Sequence, residues 1–123
     1  MTKKLSPTAK AVRKIIRFAS KGKLGAKDDS GCVYHNEDTN RFCAIGCLLP
    51  KETLALVKKK NLNVETGAFT LYNRIPKLEK TIGLSEPTAT AIQLAHDEWA
   101  TGETTMSDFI NFLQQVESRA TGQ

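Results

Sequence analysis

Apolar residues recur at helical spacing along most of this chain, and one stretch near the middle breaks the rhythm. At about 100° per residue, Val12, Ile15, Ile16 and Ala19 fall on one narrow face. Ser6 as N-cap and Pro7 at the first helical position open that helix, and Gly22 and Gly25 close it. Residues 31–35 and 40–44 alternate instead with period two, as short strands about a turn at Asn36-Glu37-Asp38-Thr39. Pairing His35 with Asn40 sets Val33 opposite Phe42 and Cys32 opposite Cys43, with Cys32, Tyr34 and Cys43 on one face. Ala44 to Leu49 then leaves the hairpin as a short buried helical turn, where Gly46 points to close packing against a neighbour.

Helical spacing returns after Pro50, which opens a helix to about Lys60 with Leu54, Leu56 and Val57 inward and cations at its C-terminal end. Leu71, Ile75, Leu78 and Ile82 keep the period, but Pro76 sits among them. That predicts a short helix, a break, and a further turn ending at Gly83. Ser85-Glu86-Pro87 starts the next helix, which sets Ile92, Ala95, His96 and Trp99 together, points Asp97 about 100° away, and ends at Gly102. Thr105 with Asp108 is a variant of the capping box, and Met106, Phe109, Phe112, Leu113 and Val116 form the clearest apolar stripe in the chain.

These elements predict a mostly α fold with a minor β part: four to six helices around one small antiparallel hairpin at about residues 31–44. The expected core is Ile15, Ile16, Cys43, Ile45, Leu48, Ile92, Trp99, Phe109, Phe112 and Leu113. A length of 123 residues suits one domain, 1–123, with its core at about 6–118 and a frayed tail at 119–123. Hydrophobic residues at 40% and charged residues at 25% belong to a globular chain, and no apolar run reaches the ~20 residues of a membrane span. The start, Met1-Thr2-Lys3-Lys4, has no apolar segment behind it and does not read as a secretory signal.

Charge changes the picture at the first helix. The net charge is +5, and Lys10, Arg13, Lys14, Arg17 and Lys21 lie opposite the apolar face with no acid among them. Such a stripe suits phosphates of nucleic acid, a nucleotide or an anionic membrane surface, and it also suits the solvated face of any amphipathic helix. No aromatic residues interleave with the cations as a stacking pattern, and Asp28-Asp29 follows closely enough to neutralise part of the stripe.

The three cysteines and two histidines supply the candidate chemistry. An odd cysteine count argues for reduced thiols and a cytoplasmic setting. Cys32, His35, Cys43 and Cys47 are ligand types that zinc accepts, with His96 as a long-range replacement for His35, although the expected register puts His35 on the face opposite Cys32 and Cys43. The spacing matches no standard finger or ribbon, and small buried hydrophobes describe the same cysteines. A second constellation is Cys43 as nucleophile, His96 as base and Asp97 as orienter, opposed by the divergence of neighbouring helical side chains. The alternative for His96 is a hydrogen-bonded core residue beside Trp99.

Gly31-Cys32, Phe42-Cys43-Ala44-Ile45-Gly46, Leu94-Ala95-His96-Asp97 and Phe109 together carry a resemblance. The chain resembles a loose group of small uncharacterised bacteriophage and bacterial proteins with a Gly-x-Cys stretch, a Cys-(Ala/Cys)-(Ile/Leu)-Gly segment, a Leu-x-x-(His/Asn)-Asp element and a final amphipathic helix opening near a Phe. The likeness covers most of residues 19–116 and implies a phage or prophage accessory protein in the host cytoplasm, without assigning chemistry. In that group the position of Cys47 is often another small or apolar residue, so the resemblance gives Cys47 no role.

The expected function is therefore non-enzymatic: binding of a host or phage macromolecule, most simply a protein, in counter-defence or host takeover. The alternative is nucleic-acid or nucleotide binding through Lys10, Arg13, Lys14, Arg17 and Lys21, and behind it stand a zinc module and a cysteine-dependent hydrolase. No cofactor is expected other than zinc, and a homo-oligomer is compatible with the pattern.

Overall fold

The structure, a computed structural model, describes residues 6–25, 27–28, 31–62 and 67–120. Ser6 opens helix α1 (Pro7–Ser20): its hydroxyl accepts the Ala9 N–H at 3.1 Å. This satisfies one of the orphan amides of the first turn. Ala9, Ala11, Val12, Ile15 and Ala19 are its buried face, and most of that face packs on the last helix, α6 (Met106–Ala120). Arg13 Nε reaches across to Glu117 Oε2 at 2.9 Å. Gly22, at φ +69°, turns the chain back. The Lys23 carbonyl then accepts the Phe42 N–H at 2.8 Å, and Leu24 bridges to Phe42. These contacts seat the hairpin beside the end of α1.

Two short antiparallel ladders follow. Strands β1 (Lys27–Asp28) and β2 (Gly31–Cys32) pair with each other, and β3 (His35–Asn36) pairs with β4 (Arg41–Phe42). The second ladder is the expected hairpin, shorter than 31–44 and in a different register: His35 faces Phe42 and Asn36 faces Arg41. The sequence reading set His35 against Asn40, and it placed Cys32 opposite Cys43. Cys32 instead faces Lys27. The Asn36 side chain is the physical reason. Its Oδ1 accepts the N–H groups of Asp38 and Thr39 at 2.9 and 3.3 Å, an Asx turn. Asn40 completes the loop at φ +52° and so belongs to the turn, not the strand.

The turn that leaves the hairpin holds the tightest glycine site among the described residues. Cys43 N–H donates to the Tyr34 carbonyl at 3.1 Å, and a 3-10 turn spans Gly46–Leu48. A Cβ on Gly46 would stand 1.9 Å from the Tyr34 carbonyl oxygen. The close packing read into Gly46 is therefore backbone against backbone.

Helix α2 (Lys51–Lys59) starts after Pro50, and α3 (Ala68–Arg74) and α4 (Leu78–Ile82) are separated at Pro76, as the apolar spacing predicts. Leu71, Ile75, Leu78 and Ile82 are all buried. Helix α5 (Glu86–Ala100) is capped by Ser85, and α6 by the reciprocal pair of Asp108 N–H to Thr105 Oγ1 (3.1 Å) and Thr105 N–H to Asp108 Oδ2 (3.4 Å). Helix α6 runs through Ala120, and residues 121–123 of the expected tail lie outside the described ones.

The fold class is the expected one, six α-helices about a small antiparallel hairpin among the described residues. Ile15, Cys43, Ile45, Leu48, Ile92, Phe109 and Leu113 are buried, and Ile16, Trp99 and Phe112 are partly buried against them. Fully burying a side chain such as Ile15, Phe109 or Leu113 contributes roughly 1.5–3 kcal/mol. No helix among the described residues is long and apolar enough to cross a membrane.

Candidate functional site

Helix α5 projects Gln93 and His96 into the core, where both are buried, His96 completely. His96 Nε2 accepts the Gly25 N–H at 3.2 Å, and Nδ1 lies 2.9 Å from Asp97 Oδ1. A ring nitrogen that accepts an amide proton carries none of its own, so the imidazole proton sits on Nδ1 and is donated to Asp97. Gln93 Nε2 also donates to Asp97 Oδ1, at 3.0 Å, while its Oε1 accepts the Ile45 N–H at 3.2 Å. The rings of Trp99 and Phe109 meet His96 edge-on at 5.6 and 5.9 Å. One polar network thus ties α5 to the loop after α1 and to the segment entering the 3-10 turn.

This places His96 in the core beside Trp99, hydrogen-bonded, and it corrects the expectation for Asp97. The 100° helical divergence predicts that Asp97 does not orient the His96 ring, yet the two side chains meet. The backbone direction does not limit a side chain that folds back along the helix. The constellation of Cys43, His96 and Asp97 still lacks its central atom, because His96 Nε2 is engaged by Gly25.

Two of the three thiols, Cys43 and Cys47, are placed as packing groups, and the Cys32 side chain lies outside the described ones. Cys43 is completely buried and its Sγ accepts the Gly46 N–H at 3.1 Å. Cys47 Sγ donates to the Ala44 carbonyl at 3.2 Å. Burial pushes the Cys47 thiol up to about 12, with the Lys14 ammonium pulling weakly the other way. Iodoacetamide at neutral pH is therefore expected to spare Cys43 and Cys47 in the folded chain and to label both in strong denaturant, read by peptide mass spectrometry. Rapid labelling of native Cys43 would restore the nucleophile reading.

Of the zinc candidates, His35, Cys43, Cys47 and His96 each make other contacts. Among the described residues no three of His, Cys, Asp or Glu gather as a metal-holding set. His35 accepts from Lys58 Nζ at Nδ1 (2.8 Å) and donates from Nε2 to Asn40 Oδ1 (3.1 Å). Lys58 also pairs with Glu37 Oε1 at 2.7 Å, and its ammonium holds the Glu37 carboxyl below the usual carboxylate range.

The surface is more informative than the interior. Lys10, Arg13, Arg17 and Lys21 are exposed on α1, and Lys14 is partly buried. Arg13 is held by Glu117, so the stripe is not uniformly free. Of the acids read as neutralising it, Asp29 and the side chain of Asp28 lie outside what the structure describes. Lys14 Nζ stands 6.0 Å from the centre of the Phe18 ring. Phe18 meets Phe42 edge-on at 5.5 Å, and Phe42 stacks on His35 at 4.3 Å with 19° between the planes. Lys58 closes the run on the far side of His35. The aromatic residues missing from the stripe in sequence are thus supplied in space, by Phe18 on α1 and by a hairpin docked through Lys23. All three rings are partly exposed. No periodicity could have found them; the one local signal was Phe18 itself, adjoining Arg17.

Compared with protein-family models, with curated proteins and with solved structures, the chain finds no match in any of the three.

Proposed function

We propose that this chain acts by binding a macromolecule and not by catalysis, and that the macromolecule is single-stranded nucleic acid. The run Lys14–Phe18–Phe42–His35–Lys58 carries the reading, because it sets three partly exposed rings in a row between two cations. Base stacking on aromatic side chains is worth roughly 1–3 kcal/mol per base, and flanking cations hold the backbone. Arg17, Lys21 and Lys23, all exposed, extend the positive charge along the end of α1 and into the loop that seats Phe42. The engaged Nε2 of His96 and the raised Cys47 thiol support a binding role over a catalytic one. The phage or prophage setting and the host cytoplasm come from the resemblance and belong to the same proposal.

The test is fluorescence anisotropy with short single strands across a salt series. Reversing Lys14, Arg17 and Lys21 to glutamate is expected to weaken binding and to flatten the logarithmic salt dependence by roughly 2 units, at about 0.7 per phosphate contact. Unchanged binding would remove the nucleic-acid reading. A protein partner is the second reading, favoured by Leu94, which is 62% exposed in a groove with Ala91, Ala95 and Phe112 between α5 and α6. Cross-linking from that groove to a protein, with strands unbound, would establish it.

A further inference from the structure

Beside the stacking surface lies a small cleft of about 280 Å³ between α1 and α4. Lys10 and Lys14 line one wall, Lys80, Thr81 and Gly83 line the other, and Leu48 contributes apolar surface. None of its lining residues is acidic. Glu79 lines the adjoining cleft, which shares Pro7, Lys80 and Gly83 with this one. The three lysines, like Arg17, Lys21 and Lys23, are without a carboxylate partner among the described residues, whereas Arg13 and Lys58 have one. Like charges gathered in one concavity without counterions raise the local concentration of an anion.

The walls are fixed to each other. Thr8 Oγ1 donates to the Gly83 carbonyl at 3.2 Å. Gly83, at φ +84°, lies so close to Pro7 that a Cβ would stand 2.8 Å from the Pro7 carbonyl oxygen. The lysines of α1 and α4 therefore face a cleft whose shape exists before a ligand arrives, which lowers the ordering cost of binding. The volume is just below the ~300–1,000 Å³ of pockets that enclose whole drug-sized ligands. It suits a compact anion or one end of a longer molecule. No aromatic ring lines it, so it offers nothing to a base.

We propose that the α1–α4 cleft is a phosphate subsite, which takes the phosphate chain at the end of a nucleic-acid strand or on a free nucleotide. Lys14 joins it to the stacking surface, since the same side chain lines the cleft and approaches the Phe18 ring. The subsite thus deepens the nucleic-acid reading and rests on it for the strand, while phosphate binding itself can be tested alone.

Pyrophosphate is titrated into the isotope-labelled chain at low salt and followed by backbone amide shifts. Saturable shifts centred on Lys10, Ala11, Thr81 and Gly83 are expected. Lys80→Glu, an exposed substitution, is expected to weaken binding roughly ten- to a hundredfold, the worth of a hydrogen bond to a charged group. Lys10→Glu serves as the second variant. Shifts that never saturate, that spread equally to Lys59 and Lys60, or that ignore both variants would overturn the subsite. Further arms identify the source: a 5′-phosphorylated strand preferred over its 5′-hydroxyl form supports a strand end, and a nucleoside triphosphate binding more tightly than either supports a free nucleotide. Pyrophosphate binding without any strand binding keeps the cleft and removes the stacking surface. Strand binding that ignores pyrophosphate and Lys80→Glu does the reverse.

Discussion

Gly46→Ala is expected to cost about 3–5 kcal/mol of stability, a large part of the ~5–15 kcal/mol that a domain has. The new methyl would stand 1.9 Å from the Tyr34 carbonyl oxygen and 2.8 Å from its carbon, inside any tolerable contact. The obstacle is backbone, so no side chain can rotate away. Overpacking alone costs ~1–3 kcal/mol. Moving Tyr34 back also stretches the Cys43 N–H bond to its carbonyl, now 3.1 Å, and a buried unpaired amide adds ~1–3 kcal/mol. Urea denaturation should show a lower midpoint with the slope nearly unchanged, and heating should show a transition roughly 10–20 °C lower. A loss under about 1 kcal/mol would mean that the turn is free to relax, against the tight approach described.

His96→Leu is the second large effect, expected at about 2–4 kcal/mol. Leucine fills most of the space, so cavity formation is a small part of the loss. The Gly25 N–H loses its acceptor, and Asp97 loses the donor at 2.9 Å. Asp97→Asn makes the comparison informative. Its side-chain oxygen still accepts from Nδ1, so the histidine keeps its tautomer, and the cost should stay near 1 kcal/mol. Chemical denaturation of both variants is the measurement. A neutral His96→Leu would show that the network is not structural, and it would return His96 to the list of candidates for chemistry.

Much of this fold was legible because several signals agreed at the same residues. Ser6-Pro7, Ser85-Glu86-Pro87 and Thr105 with Asp108 each combine a cap with an apolar stripe at helical spacing, and a helix stands at all three. Pro76 interrupts a periodic run, and the chain breaks there. The hairpin register was not legible, since it depends on Asn36 folding its own side chain into the turn and Asn40 adopting a left-handed conformation. A strand pattern of period two fits registers two residues apart equally well. Gln93 was also missed. A glutamine on a helix reads as surface, and its burial is satisfied in part by the Ile45 amide, 48 residues away in the chain, whose N–H its Oε1 accepts. The stacking surface needed tertiary knowledge of the same kind: His35 and Phe42 meet as cross-strand partners in the observed register, and Phe18 meets Phe42 where the Lys23 carbonyl seats the hairpin beside α1. The basic stripe, by contrast, was readable from spacing, although the loss of Arg13 to Glu117 was not.

The pairing of α1 with α6 has a consequence for how the protein is made. Arg13 and Glu117 are 104 positions apart, so the apolar face of α1 leaves the ribosome long before its main cover exists. At ~5–20 residues per second, Val12 and Ile15 wait on the order of 5–20 seconds for Phe109 and Leu113. During that interval the nascent chain presents a greasy helix to any chaperone nearby, and its native state is reached only once the last-made helix closes over the first.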